Sequence, residues 1–288
     1  MELSAPGWDD YEVIDSGEWM RLERVGDIVI ERQCAQAYWP RTLPESEWRT
    51  LRHATHYRPD QGAGDWTYHQ KVPERWVIKL PDGLGAEMRL TQFGHIGLFA
   101  EQQVQWTWIR EQLAEREAPT ALNLFAYTGG STLAAASAGA QVTHVDAVKG
   151  IINWARINAE RSGLADAPVR WIVEDALKYC QREVRRGKRY DAIILDPPTF
   201  GRAPGGAVWK IEDSLNLLLD SCRQLLSDDA AFILLSGHTP GMTAAVMRNV
   251  LQPIVAERGG QLVSGDMVQQ ASRSKCVLPS GVFCRWIP

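Results

Sequence analysis

Beyond residue 100 the chain alternates, with few interruptions, between short apolar runs and stretches of helical spacing. Ala121–Ala126, Val169–Val173, Ala192–Leu195 and Ala231–Leu235 are mainly apolar, and Gln141–Asp146 is a short β-branched run. Between them Gln102–Glu117, Ser131–Ala138, Ile151–Arg161 and Ala176–Arg186 read as helices, and Ile211, Leu215, Leu218, Leu219, Cys222, Leu225 and Leu226 fall on one helical face. Strands that are apolar throughout, rather than at alternate residues, are buried on both sides, as in a parallel sheet covered by helices. The expectation for residues 93–288 is an α/β fold with a doubly wound, mostly parallel sheet of seven strands. Residues 1–92 differ. Pro40, Pro44, Pro59, Pro73 and Pro81 exclude long helices, while Trp19–Glu23, Asp27–Arg32 and Glu74–Leu80 read as strands between turns. A small β-rich domain is expected there.

Composition narrows the classes. With 288 residues, 45% apolar and 23% charged, the chain is an ordinary globular one, without repeats or low-complexity segments. It has no apolar run of about eighteen residues, so no membrane span is expected, and its acidic start reads as no secretory signal. Its five cysteines, Cys34, Cys180, Cys222, Cys276 and Cys284, are odd in number and form no CxxC pair. Neither a disulfide framework nor a structural zinc site is expected, and a reducing cytoplasm fits. The net charge is −4, and residues 1–92 hold 11 Lys and Arg against 16 Asp and Glu. Recognition of a nucleic acid would then depend on local shape rather than on a basic arm.

In a doubly wound sheet, ligands sit beyond the carboxyl ends of the strands, where the strand order reverses. Four strand ends carry the chemistry. The first reads Asn-Leu-Phe-Ala-Tyr-Thr-Gly-Gly, where Gly129 and Gly130 permit a sharp turn before a helix amino end; it is a plain tight turn or a ligand loop. The second places Asp146 where a ribose diol can donate to it, or where it caps a helix. The third gives Asp175, an acceptor for an adenine amine beside the Ala176 N–H, or again a helix cap. The fourth, Asp196-Pro197-Pro198-Thr199-Phe200, can neither continue its strand nor begin a helix at once. Its rigidity suits an acid that orients an incoming nucleophile, with Phe200 stacking on a planar substrate. The dinucleotide pattern GxGxxG is absent, which sets a dehydrogenase aside.

These four motifs, in this order, resemble motifs I to IV of class I S-adenosylmethionine-dependent methyltransferases. His95–Phe200 resembles more narrowly the bacterial large-subunit ribosomal RNA methyltransferases I and K, including the segment Gly97-Leu98-Phe99-Ala100-Glu101-Gln102. The resemblance implies S-adenosylmethionine as cofactor. It places Ala126, Tyr127, Thr128 and Gly129 about the methionine moiety, Asp146 at the ribose, Asp175 and Ala176 at the adenine, and Gln102, Phe125 and Ala147 also at the cofactor. It puts Asp196, Pro197, Pro198 and Phe200 at the reacting centre. It also implies a nucleobase of structured RNA, ribosomal RNA first, as substrate. Relatives that methylate cytosine C5 use a cysteine after the fifth strand, where this chain has Leu235-Ser236-Gly237-His238. A ring nitrogen is therefore the expected acceptor. A methyltransferase for small molecules or proteins, and a non-catalytic cofactor-binding module, stay open.

Other signals are expected to be structural. Arg182, Arg185, Arg186, Lys188 and Arg189 close a helix whose dipole they complement, away from the proposed site. His53, His56 and His69 with Cys34 lack zinc spacing, so no metal is expected. His95 and His238 are placed near the site without a catalytic role. Trp106, Trp154 and Trp171 are expected in core elements. Trp39, Trp66 and Trp209 are candidates for exposed stacking, and Gly201–Lys210, with Pro204, for a mobile lid.

Overall fold

A computed structural model describes residues 1–58, 64–202, 206 and 208–288. The chain divides into two compact units, one of Met1–Leu3, Gln102–Met267 and Gly281–Pro288, the other of Ser4–Glu101 and Val268–Ser280.

The chain opens with the short strand β1 (Glu2–Ala5); in the second unit β2 (Tyr11–Gly17), β3 (Met20–Val25) and β4 (Ile28–Gln33) form an antiparallel meander. Helix α1 (Glu45–Leu51) then carries the chain to β5 (Ala54–Tyr57), parallel to β4, and β6 (Asp65–Tyr68) closes the five-stranded sheet. The expected start of the third strand at Trp19 shifts by one residue, because Glu18 and Trp19 form the hairpin turn at φ 50° and 67°. Trp48 of α1 is fully buried among Ile14, Leu22 and Val29. Its indole N–H donates to Asp15 Oδ2, which also accepts from the amides of Thr42 and Leu43. A separate ribbon pairs β7 (Trp76–Lys79) with β8 (Gly85–Met88).

The other unit holds the larger sheet. A 3-10 turn (Ala100–Gln102) precedes α2 (Gln103–Leu113), so the expected helix over 102–117 is shorter at both ends. The chain then runs through β9 (Thr120–Leu124), α3 (Gly130–Ser137), β10 (Gln141–Asp146), α4 (Lys149–Arg161), β11 (Val169–Val173), α5 (Ala176–Arg185) and β12 (Ala192–Leu195). A hairpin of β13 (Phe200–Arg202) and β14 (Val208–Lys210) leads to α6 (Ile211–Leu225), β15 (Phe232–Gly237), α7 (Ala244–Val255), β16 (Gln261–Gln270) and β17 (Val277–Ile287). The sheet order is β1-β16-β17-β15-β12-β9-β10-β11. Strands β15, β12, β9, β10 and β11 are mutually parallel and β17 is antiparallel to β15. The sheet has eight strands; the one added to the expected seven is β1, a four-residue edge too short and polar to stand out in the sequence.

Alternate residues of each strand enter different layers. Leu122, Leu124, Val145, Ile193, Leu195, Ile233 and Leu235 face a core shared with Tyr179 and Cys180 of α5, Leu218, Leu219 and Cys222 of α6, and Met247 and Leu251 of α7. Asn123, His144, Phe232 and Ser236 alternate with them along the strands. Asn123 bonds to Thr132 of α3, and the Phe232 ring lies 4.7 Å from that of Trp108 in α2. Order reverses between β9 and β12: the chain leaves β9 toward β10 and β11, then returns to the far side of β9. At the amino ends of this pair Asp191 latches the register. Its Oδ2 accepts from the Thr120 amide and hydroxyl, each at 2.8 Å, and its Oδ1 from the Ser227 hydroxyl at 2.7 Å.

His144 lies buried in the layer under α3, its Nδ1 2.9 Å from the Thr132 hydroxyl, which accepts from Asn123. Burial drives the imidazole down to about 3 from an ordinary 6.5. Between those values the unfolded chain binds a proton that the folded chain refuses. This group therefore costs no stability above about pH 6.5, and below it removes up to about 1.4 kcal/mol per pH unit until the folded value is reached. His144→Gln, which keeps an acceptor for Thr132, should flatten the fall in urea midpoint between pH 7 and pH 4 followed by circular dichroism. Parallel curves for the two proteins would contradict this account.

Candidate active site

The register of β12 on β9 sets Leu195 opposite Leu124, and that of β10 on β9 sets Val145 opposite Leu124. The ends of these strands therefore release Phe125, Asp146 and Asp196 along one edge, beside the reversal of strand order. The loop after β9 is tightly coiled. Phe125, Tyr127 and Gly129 all have left-handed φ (55°, 48° and 94°), with Ala126 and Thr128 between them. For the two non-glycine residues this costs on the order of 1–3 kcal/mol each and persists only where surroundings over-determine it. They do so here. The Ala126 amide donates to Val145 O, the Tyr127 amide to Asp146 Oδ2 and the Gly129 amide to Ala126 O, while Asn158 Nδ2 holds the Thr128 carbonyl at 2.9 Å. Gly130 begins α3 where a Cβ would stand 2.6 Å from the Trp106 ring. Ala126, Thr128 and Gly129 are turned inward, and Phe125 and Tyr127 are half-buried.

Asp146 accepts from the amides of Tyr127 at 3.0 Å and Val148 at 2.9 Å. Burial pushes its carboxyl above the ordinary value, against the opposing pull of the amides of Val148, Tyr127 and Ala147. A carboxylate has about four acceptor positions, so room remains for a diol. Beside it, Val148 and Val173 expose 43% and 47% of their surface; Val173 ends β11, the edge strand of the sheet, and pairs with Asp146. Two exposed apolar side chains flanking a strand-end acid fit an adenosine, and the over-determined loop fits the close approach of a methionine chain. Asp175 serves as the cap of α5, its Oδ1 accepting from the Lys178 amide at 2.9 Å, and Ala176 is buried.

Asp196 is held from two sides. Ser236 Oγ donates to Oδ1 at 2.9 Å, and Gln102 Nε2 lies 3.2 Å from Oδ2 and 3.1 Å from Ser236 Oγ. His238 Nδ1 stands 3.8 Å from Oδ1. Gln102, expected at the cofactor, thus has its amide on the acid of the fourth motif. The loop that follows is pinned at successive residues: the Trp209 indole donates to Pro198 O at 2.7 Å, the Ile211 amide to Thr199 O, and the hydroxyls of Thr199 and Thr239 meet at 2.9 Å. Pro197 is buried, Pro198 exposed, and Phe200 is 50% exposed.

The structure corrects the reading of three tryptophans. Trp209 is only 5% exposed, because it lies opposite Gly201 in the hairpin and packs on Phe125 at 4.7 Å. Trp39 and Trp66 are half-buried, with indole N–H groups committed to Ser16 O and Thr91 O. The segment expected as a lid is the β13–β14 hairpin; Pro204, with Ala203, Gly205 and Ala207, lies outside the described residues. His95 is in the other unit, where burial and the charges of Arg32, Arg21 and Arg58 lower it to about 4. Within the basic run, Arg182 pairs with Glu174 and Arg186 with Glu183. Sequence reasoning missed Ser236, Val148 and Val173. Ser236 is findable by the same rule as the other site residues, since it stands near the end of β15, whereas nothing local marks the two valines as exposed.

A family model described as S-adenosylmethionine-dependent methyltransferase matches residues 29–228. The ribosomal RNA large subunit methyltransferase K/L of Shewanella frigidimarina is 32% identical over 160 residues, 54% of this chain and 21% of that protein. The protein of the same name from Pseudoalteromonas translucida is 32% identical over 149 residues, 51% of this chain and 20% of that one. The chain therefore spans about a fifth of the length of these curated relatives. The crystal structure of a SAM-dependent methyltransferase from Agrobacterium tumefaciens superimposes with a TM-score of 0.94 at 39% identity, over 100% of this chain and 93% of that one. With 18% identity and a TM-score of 0.75, over 96% of this chain and 75% of the other, a candidate methyltransferase from Streptococcus mutans shares the fold. The family match covers more than half of the chain, which belongs to the S-adenosylmethionine-dependent methyltransferases.

Proposed function

We propose that this methyltransferase acts in the cytoplasm on a nucleobase of structured RNA, ribosomal RNA first, and that the acceptor is a ring nitrogen. The observation that carries the reading is the clamped Asp196 at the reversal of strand order, followed by an exposed aromatic ring. The names of the curated relatives support RNA as substrate. Among the described residues no helix is long and apolar enough to cross a membrane.

Bound S-adenosylmethionine supplies an activated methyl on a positively charged sulfur, so the protein needs no strong acid. Its task is to hold the acceptor in line and about 3 to 3.5 Å from that carbon. In this reading Phe125 to Gly129 receive the methionine chain, Asp146 with Ala147 the ribose, and Asp175 with Ala176 the adenine edge. Asp196 and the Pro197 carbonyl accept from the polar edge of the base, Pro198 fixes the loop and Phe200 covers the ring. Gln102 and Ser236 act through Asp196 by fixing its rotamer. A nitrogen acceptor is supported by the cysteines. Covalent attack on a pyrimidine needs an accessible thiolate, yet Cys180, Cys222 and Cys284 are fully buried, and burial pushes Cys284 up to about 11. Residues 93–288 would carry the transfer, and the β-rich residues 1–92 form the separate N-terminal domain.

Purified protein given methyl-labelled cofactor and total cellular RNA should place label in RNA that digests to a ring-N-methylated nucleoside. Label in 5-methylcytidine would refute the nitrogen assignment, label only in protein or small molecules the choice of RNA, and cofactor binding without transfer the activity itself. Ser236→Ala and Gln102→Leu should each lower kcat by about 10- to 100-fold, the scale on which small misplacements act, with cofactor Kd in calorimetry within about threefold of wild type. Equal losses in both quantities would assign these side chains to the cofactor instead.

A further inference from the structure

The hairpin after Asp196 has two different faces. Its register pairs Phe200 with Lys210, Gly201 with Trp209 and Arg202 with Val208. Side chains alternate along a strand, so Gly201 and Trp209 share one face while Phe200, Arg202, Val208 and Lys210 share the other. The first face is buried against Phe125 and holds the Pro198 carbonyl. All four residues of the second are exposed, Phe200 at 50% and Val208 at 51%. The Arg202 guanidinium lies 5.7 Å from the Phe200 ring centre. Thr199–Lys210 contains no Asp or Glu, and among the described residues neither Arg202 nor Lys210 has a carboxylate within 4 Å. Glu212 and Asp213 follow in the first turn of α6, where they complement its dipole.

We propose that this outer face is the docking surface for a polynucleotide strand: Arg202 and Lys210 hold the phosphates on either side of the base that lies on Phe200. The inference rests on the nucleobase reading above and adds to it how a chain of net charge −4 recognises an anionic polymer. Aromatic stacking tolerates any base, and flanking cations bind the backbone that links bases. A free base or nucleoside would use the ring alone, whereas a polynucleotide uses the ring and both cations together. Trp209 fixes the hairpin to Pro198, two residues from Asp196, so a strand seated on it is held next to the loop that carries that acid.

The test uses the full chain, total ribosomal RNA as probe, and the variants Arg202→Gln, Lys210→Gln, the double substitution, and Arg202→Lys. Filter binding across a salt series should show at least a tenfold loss of RNA affinity for the double variant at 100 mM salt. The slope of log affinity against log salt should become shallower by about 1 to 2, roughly one counterion for each phosphate the variant no longer neutralises. KM for RNA should rise by a similar factor, with kcat and cofactor affinity within about threefold of wild type, and Arg202→Lys should keep the wild-type slope. A double variant that melts like wild type and keeps both affinity and slope overturns the docking surface while leaving RNA methylation standing. Wild-type protein that transfers no label to RNA overturns both.

Discussion

The pairing of β12 with β9 decides where every reactive group stands. Asp191 fixes this register at the amino ends by binding Thr120 twice and Ser227 once. Four residues later the same ladder sets Leu195 against Leu124. Strand side chains repeat every two residues, so a slip of one would turn Leu195 out of its core and Asp196 into it. Burial raises the Asp191 carboxyl, but the amide and hydroxyl of Thr120 and the Ser227 hydroxyl outweigh it and hold the group below its ordinary value. The latch thus stays charged to a lower pH than an ordinary carboxylate.

The edge so placed combines strain with restraint. Phe125 and Tyr127 occupy backbone conformations that isolated side chains avoid, and nearby carbonyl, carboxylate and carboxamide groups hold the loop in place. At Asp196 the arrangement is similar in kind. Two neutral donors, from Gln102 and Ser236, fix the Asp196 carboxylate. Neutral donors orient the acid without cancelling its charge, which suits a group that must attract a polar substrate edge.

Much of this was legible because the ends of buried strands are easy to find. An apolar run must stop where the sheet stops, so Asp146 and Asp196 could be placed at its edge from the pattern alone. The rest depended on partners distant in sequence. Trp209 reads as a surface aromatic in a Gly-rich loop until its packing on Phe125 and its bond to the Pro198 carbonyl are known. Gln102 lies 94 residues from the acid it holds, and no local pattern announces such a bond. Val268–Ser280 joins the unit formed by Ser4–Glu101, an association between stretches far apart in the chain. Asp175 carried two compatible meanings, and the backbone geometry assigns the cap without excluding a ligand.

The two strands of the hairpin are three residues each, which leaves no slack between their opposite duties. Removing one residue from β14 would bring the ammonium of Lys210 against Phe125 and send the indole into water, releasing Pro198 as it went. Among homologues that share this hairpin, the parity of the residues in its two strands should be kept even where their identities drift.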